Sequence, residues 1–197
     1  MCSCDERAIE RILFRYARCV DSADWDCLGE LFRYGQVVTE GVDGVAVGPD
    51  AVRDVWRTVN RVHPDGTLRT RHLLTNVIVD VSPDDDIANA DAYFMVFQAT
   101  PELPLQPIAG GWYEDTFHKI DGVWWFKQKK IHVNLVGDVS NHLILAFDST
   151  GQLSDPPPAD LLAAASGRSP ADPANSPDSE PGKGASRSGR TDCVSHE

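Results

Sequence analysis

No run of apolar residues in this 197-residue chain exceeds the six from Ala92 to Phe97, so no segment is long enough to cross a membrane as a helix. Basic residues are in the minority, 18 Lys and Arg against 30 Asp and Glu, for a formal charge of −12. An acidic surface repels phosphate backbones, which argues against a nucleic-acid partner. Cysteine is scarce, and five residues at irregular spacing speak against a disulfide framework. The opening residues Met1 to Glu6 also lack the apolar core of a secretory leader. Together these features predict a reducing, cytoplasmic setting. Aromatic residues are missing altogether after residue 150, where Pro, Ser, Ala, Gly and Asp dominate. Such a composition cannot bury enough apolar surface to offset its ordering entropy. We therefore read residues 1–150 as one folded domain and residues 151–197 as a disordered tail. Deleting residues 155–197 is expected to leave the melting temperature within a few degrees of the full chain, and a larger fall would show that the tail docks.

Several motifs are absent too. There is no G-x-G-x-x-G, no G-x-S-x-G and no H-E-x-x-H, and Cys2 and Cys4 have no nearby partners to complete a zinc set. The expectation is a protein that works without metal or cofactor. The basic cluster Lys127, Lys129, Lys130 reads as a solvated strand end in an acidic protein.

What is present is a change of period. Residues 5–20 place Ala8, Ile9, Ile12, Leu13, Tyr16, Ala17 and Val20 at helical spacing, with arginines mostly on the other face. A second short helix follows from Trp25 to Phe32, with Ser22 or Asp24 as its cap, and Gly48-Pro49-Asp50 opens a third. Residues 36–47 read as strand and turn. From Arg71 the period becomes 2, giving strands over 71–81, 88–99, 111–120 and 123–136. Pro101 to Pro107 forms a loop between the second and third of these, and Asp121-Gly122 a hairpin between the last two. Helices followed by a strand meander predict an α+β fold with helices packed on one face of a curved sheet.

Three residues then form a candidate site. Tyr16 and Asp21 bracket the end of the first helix, and His72 starts the first long strand. A carboxylate beside an imidazole fixes its tautomer and stabilises the cation formed on proton uptake, while a phenol can donate to a substrate oxygen. Taken singly, core packing also explains Tyr16, helix termination explains Asp21, and a satisfied structural histidine explains His72. Alternation places His72, Leu74, Asn76 and Ile78 on one face.

The segments Tyr16-Ala17-Arg18-Cys19-Val20-Asp21-Ser22-Ala23-Asp24-Trp25-Asp26, Arg71-His72, Gly111-Trp112-Tyr113-Glu114-Asp115 and Asp121-Gly122-Val123-Trp124 resemble the SnoaL-like branch of the nuclear transport factor 2-like superfamily. The resemblance covers roughly residues 5–137. It implies a cone-shaped α+β barrel, a curved mixed or antiparallel sheet wrapped around a long N-terminal helix with two further short helices. In bile acid 7-alpha dehydratase, scytalone dehydratase and hexachlorocyclohexane dehydrochlorinase the shared Asp and His fall on Asp21 and His72. The bile acid enzyme's Tyr falls on Tyr16, a pocket Asn of scytalone dehydratase on Tyr113, and an active-site cation of the dehydrochlorinase on Lys129. The resemblance thus implies a cofactor-independent, dehydratase-type lyase with catalytic His72, Asp21 and Tyr16, acting on a hydrophobic, aromatic or polycyclic small molecule. Tyr113, Trp25, Phe97 and Lys129 would contact substrate, and Tyr93, Trp112 and Trp56 would add aromatic surface. It also implies a homodimer or homotrimer. An isomerase, cyclase or carbon–carbon lyase using the same dyad, a non-catalytic binding or assembly module, and a small oxygenase subunit remain open at this point.

Overall fold

The computed structural model describes residues 4–40, 44–82 and 86–144. The tail read as disordered lies outside the described residues. Helix α1 (Cys4–Asp21) carries Ile9, Leu13, Tyr16 and Val20 on its buried stripe, and its arginines face outward. Truncating a fully buried side chain such as Leu13 costs roughly 2–5 kcal/mol, so this stripe fixes the helix against the sheet. Helix α2 (Trp25–Leu31) starts at Asp24, whose side chain accepts from the Cys27 amide at 2.9 Å, as a cap should. Helix α3 (Gly48–Val59) has Pro49 in its first turn, where the missing amide proton is not needed.

The strands are β1 (Gln36–Thr39), β2 (Val45–Val47), β3 (Thr70–Val81), β4 (Ile87–Gln98), β5 (Gln106–Ile120) and β6 (Val123–Val136). They form one mixed sheet in the order β2-β1-β6-β5-β4-β3, with β1 parallel to β6 and every other pair antiparallel. The sheet curls around the helices without closing, in keeping with the expected cone of curved mixed sheet around the N-terminal helix, and β2 and β3 are its two edges. Asp121 and Gly122 both have positive φ, 50° and 77°, and so make the two-residue turn that the right-handed twist of β5 and β6 requires.

Bulges break the simple alternation in four places, and they decide which side chains face the helices. In β3 the register shifts between Thr75 and Ile78, with Asn76 at φ 53°. Beyond it Val77, Val79 and Val81 are half-buried, whereas Asn76 and Ile78 are exposed, so these two do not share a face with His72 as uniform alternation predicts. In β5 a Cβ on Gly111 would stand 1.8 Å from the His132 carbonyl oxygen, so only glycine lets β6 pass this close at the shift between Gly110 and Gly111. Tyr113, Asp115 and Phe117 then all point inward. A further shift between Thr116 and Phe117, opposite Phe126 to Gln128, turns Lys129 inward as well. Lys129 is fully buried, which corrects its reading as part of a solvated strand end. Strand β5 also begins at Gln106, inside the stretch read as a proline loop. Pro107 is accommodated because it pairs with Phe97 at the fourth shift, close to the strand's start.

One cysteine pair departs from expectation. Cys19 and Cys27 form a disulfide across the α1–α2 corner, with Cα atoms 5.7 Å apart. The two cysteines face each other only because the helices fold back at Asp21 to Asp24, a proximity that an eight-residue spacing does not reveal. Among the described residues no helix is long and apolar enough to cross a membrane.

Candidate active site

Asp21 is the last residue of α1 and is buried. A carboxylate at a helix C-terminus faces the negative end of the helix dipole, and burial adds a desolvation cost, so specific partners must compensate it. The start of β3 supplies three. His72 Nδ1 donates to Asp21 Oδ1 at 2.7 Å, the His72 amide donates to Oδ2 at 3.0 Å, and the Thr70 hydroxyl donates to Oδ1 at 2.7 Å. The Leu68 amide donates to the Asp21 carbonyl at 3.2 Å, tying the approach to β3 to the helix end. Burial pushes the Asp21 carboxyl upward, but the hydrogen bond from His72, its charge and the Thr70 hydroxyl together hold it below the ordinary carboxylate value. Asp21 is therefore ionised at neutral pH. Its acceptor role places the His72 proton on Nδ1 and leaves Nε2 as the basic nitrogen. The His72 side chain is 8% exposed.

A second polar group lies deeper. Lys129 Nζ donates to Asp115 Oδ2 at 2.9 Å, and both side chains are completely enclosed. The ammonium lies 3.3 Å from the centre of the Tyr113 ring and 4.4 Å from that of Tyr16, so aromatic faces supply part of its solvation. Burial raises the Asp115 carboxyl to about 6 against the opposing pull of Lys129, and burial lowers the Lys129 ammonium. Tyr16 meets Phe32, Trp56, Tyr113 and Phe126 edge-on, with centroids 6.0 to 6.4 Å away. Burial pushes the phenols of Tyr16 and Tyr113 well above their ordinary value, so both keep their protons and can donate.

The structure thus brings together Asp21 and His72, and packs Tyr16, Tyr113 and Lys129 against one another beneath them. Trp25 is half-buried at the start of α2, where it packs against the core. Phe97 lies elsewhere. His72 pairs with Val96, which is buried, so the next residue points to the opposite face, where it pairs with Arg71. Tyr93 and Trp112 share that outer face. Tyr93 is 59% exposed and Trp112 stacks on His132 at 4.5 Å, so of the proposed aromatic surface Trp56 and Tyr113 lie inside and these three do not.

Thr70 was legible in principle, being two residues before His72 on the same strand face, as was Asp115, two after Tyr113. His142 carried no such signal. It follows β6 in an irregular segment, yet its ring centroid is 6.5 Å from that of His72. A groove of about 1060 Å³ runs along the outer side of α1 between Arg11, Arg15, Arg18 and Trp125. Asp21 and Arg71 reach its lining, whereas neither His72 nor Tyr16 does. No group of three or more His, Cys, Asp or Glu converges as a metal site among the described residues.

Comparison with known proteins agrees with this fold. The family described as SnoaL-like domain matches residues 3–130. No curated protein matches the chain. Among solved structures, a protein of unknown function from Mycobacterium tuberculosis is 22% identical with a TM-score of 0.57, covering 82% of this chain and 88% of its own. A protein from Novosphingobium aromaticivorans named as a scytalone dehydratase candidate is 24% identical with a TM-score of 0.55, over 77% of this chain and 94% of its own. LinA is 20% identical with a TM-score of 0.53, over 66% of this chain and 86% of its own. At these identities the likeness is one of fold.

Proposed function

The chain belongs to the SnoaL-like domain family, and from that premise we propose that it is a cofactor-independent lyase acting on a hydrophobic, ring-containing small molecule. The observation that carries the reading is the buried Asp21 at a helix C-terminus, hydrogen-bonded through His72 Nδ1 so that Nε2 is left as a base. A module that only binds or assembles has no need of an ionised carboxylate in so costly a place. In the proposed step His72 Nε2 takes a proton from a carbon made acidic by a neighbouring carbonyl or aryl group. The electron pair released forms the new double bond as the adjacent carbon–oxygen bond breaks. The departing hydroxide takes up a proton, so the substrate loses one water in all. Asp21 holds the ring in register and balances the imidazolium charge formed on the way. Tyr16 and Tyr113, both protonated, are suited to polarise the carbonyl or assist the leaving group. Lys129, engaged by Asp115, holds these two rings in place rather than meeting the substrate directly.

A screen of hydroxylated aromatic and polycyclic ketones for loss of water, followed by absorbance of the new conjugated product, is the direct test. Turnover that needs no added metal or cofactor, and that is weakened about 10–100-fold in Tyr16→Phe, supports the reading. An unchanged rate in that variant would remove Tyr16 from the chemistry.

The protein is further proposed to form a homodimer or homotrimer through the outer face of the sheet. Leu73, Ile78, Tyr93 and Leu135 are each 49–60% exposed there, large apolar side chains that burial against a second copy would remove from water. Light scattering at micromolar concentration is expected to give a multiple of the 21.6 kDa chain mass. A monomeric mass would contradict it.

A further inference from the structure

The segment after β6 returns across the open end of the sheet and is fastened at several points. The Arg61 amide donates to the His142 carbonyl at 2.8 Å, the His142 amide to Val139 at 2.9 Å, and the Ile144 amide to Val59 at 2.8 Å. Gln98, from the end of β4, donates to the Asn141 carbonyl at 3.0 Å, and His63 Nε2 lies 3.0 Å from that same oxygen. So many anchors on a stretch without regular structure hold one side chain in particular, His142, which is 6% exposed. Its Nδ1 is buried with no hydrogen-bond partner among the described residues. An unpaired buried ring nitrogen is costly to maintain for packing alone, since an apolar side chain would fill the same space without that cost.

The ring faces His72. With centroids 6.5 Å apart and ring planes at 67°, the two imidazoles are too far apart to hydrogen-bond to each other. The gap matches one oxygen atom placed at about 2.8 Å from a nitrogen of each ring. We propose that His142 is a ligand-binding residue of the site and that, with His72, it clasps a hydroxyl oxygen on the hydrophobic ligand. A hydroxyl is the group that fits, because it donates to one ring while accepting from the other. Burial, and then the nearby charges of His72 and His63, push the His142 imidazole down to about 3, outweighing the opposing pull of Asp21, so it meets that hydroxyl as a neutral ring. A neutral ring offers one donor and one acceptor and brings no charge into the apolar interior. The inference rests on the lyase reading only in taking His72 to face the ligand.

The test uses 2-naphthol and naphthalene as probes, followed by their fluorescence on titration with the full chain. They share an apolar body and differ by the single hydroxyl. The wild-type protein is expected to bind 2-naphthol at least tenfold more tightly than naphthalene. His142→Phe is expected to lower that ratio at least fivefold while leaving naphthalene affinity within twofold, and His142→Gln, which keeps an amide donor and acceptor, should recover part of it. His142→Leu carries the same comparison if the Phe variant does not fold. An unchanged ratio in the variants, or no preference for 2-naphthol in the wild type, would overturn the inference. Because the readout is binding, it is separate from turnover: loss of the preference in His142→Phe stands even if His72→Ala proves active.

Discussion

Lys129→Met is expected to destabilise the fold by about 3–5 kcal/mol, the loss typical when one partner of a fully buried ion pair is removed and the other is left behind. Methionine fills most of the space, so the loss reports on Asp115 and not on a cavity. Asp115 already titrates near 6 with Lys129 beside it, and without the ammonium its carboxyl rises further. A carboxyl whose folded value lies above its unfolded value contributes its stability at low pH and loses it as pH rises through the folded value. The destabilisation should therefore be smaller at about pH 5 than at about pH 8. Adding Asp115→Leu to Lys129→Met should restore much of the stability, because replacing both charges removes the uncompensated group. Urea unfolding of the three variants at the two pH values measures all of this. A loss below about 1 kcal/mol for Lys129→Met would mean that water reaches the pair and that it does not set the positions of Tyr16 and Tyr113.

The second large effect is on activity. Asp21→Asn keeps the size of the side chain, but an amide can present a donor where His72 Nδ1–H needs an acceptor, and it cannot balance imidazolium charge. Turnover is expected to fall about 10³–10⁴-fold, as for removal of the orienting carboxylate in other His–Asp pairs. Combining Asp21→Asn with His72→Ala should cost little beyond His72→Ala alone, since residues that act as one unit are strongly non-additive. Independent, multiplying losses would show that Asp21 does not work through His72.

Much of this architecture was legible in the sequence because local signals agreed. The stripe Ile9, Leu13, Tyr16, Val20 announces α1, Pro49 opens α3, and Asp121-Gly122 turns β5 into β6. Asp21 and His72 were legible as a pair through family resemblance, and their 2.7 Å contact follows from where α1 ends and β3 begins. What alternation does not reveal is where it fails. The shifts at Asn76, Gly111 and opposite Lys127 depend on pairing between strands far apart in the chain, so Ile78 turned out of the face assigned to it and Lys129 turned in. Phe97 illustrates the opposite error: an aromatic residue in an apolar run reads as interior, yet Val96 opposite His72 fixes the phase and sends Phe97 outward. The Cys19–Cys27 bond and the position of His142 are tertiary facts with no local signature, one made by a corner between helices and the other by an irregular return of the chain.

The account stands on His72 as the base. Turnover and circular dichroism measured on the same samples of His72→Ala test that most directly. The fold is expected to be retained, with turnover reduced about 10²–10⁴-fold relative to wild type at equal folded protein. A well-folded His72→Ala protein that turns over at the wild-type rate would contradict it.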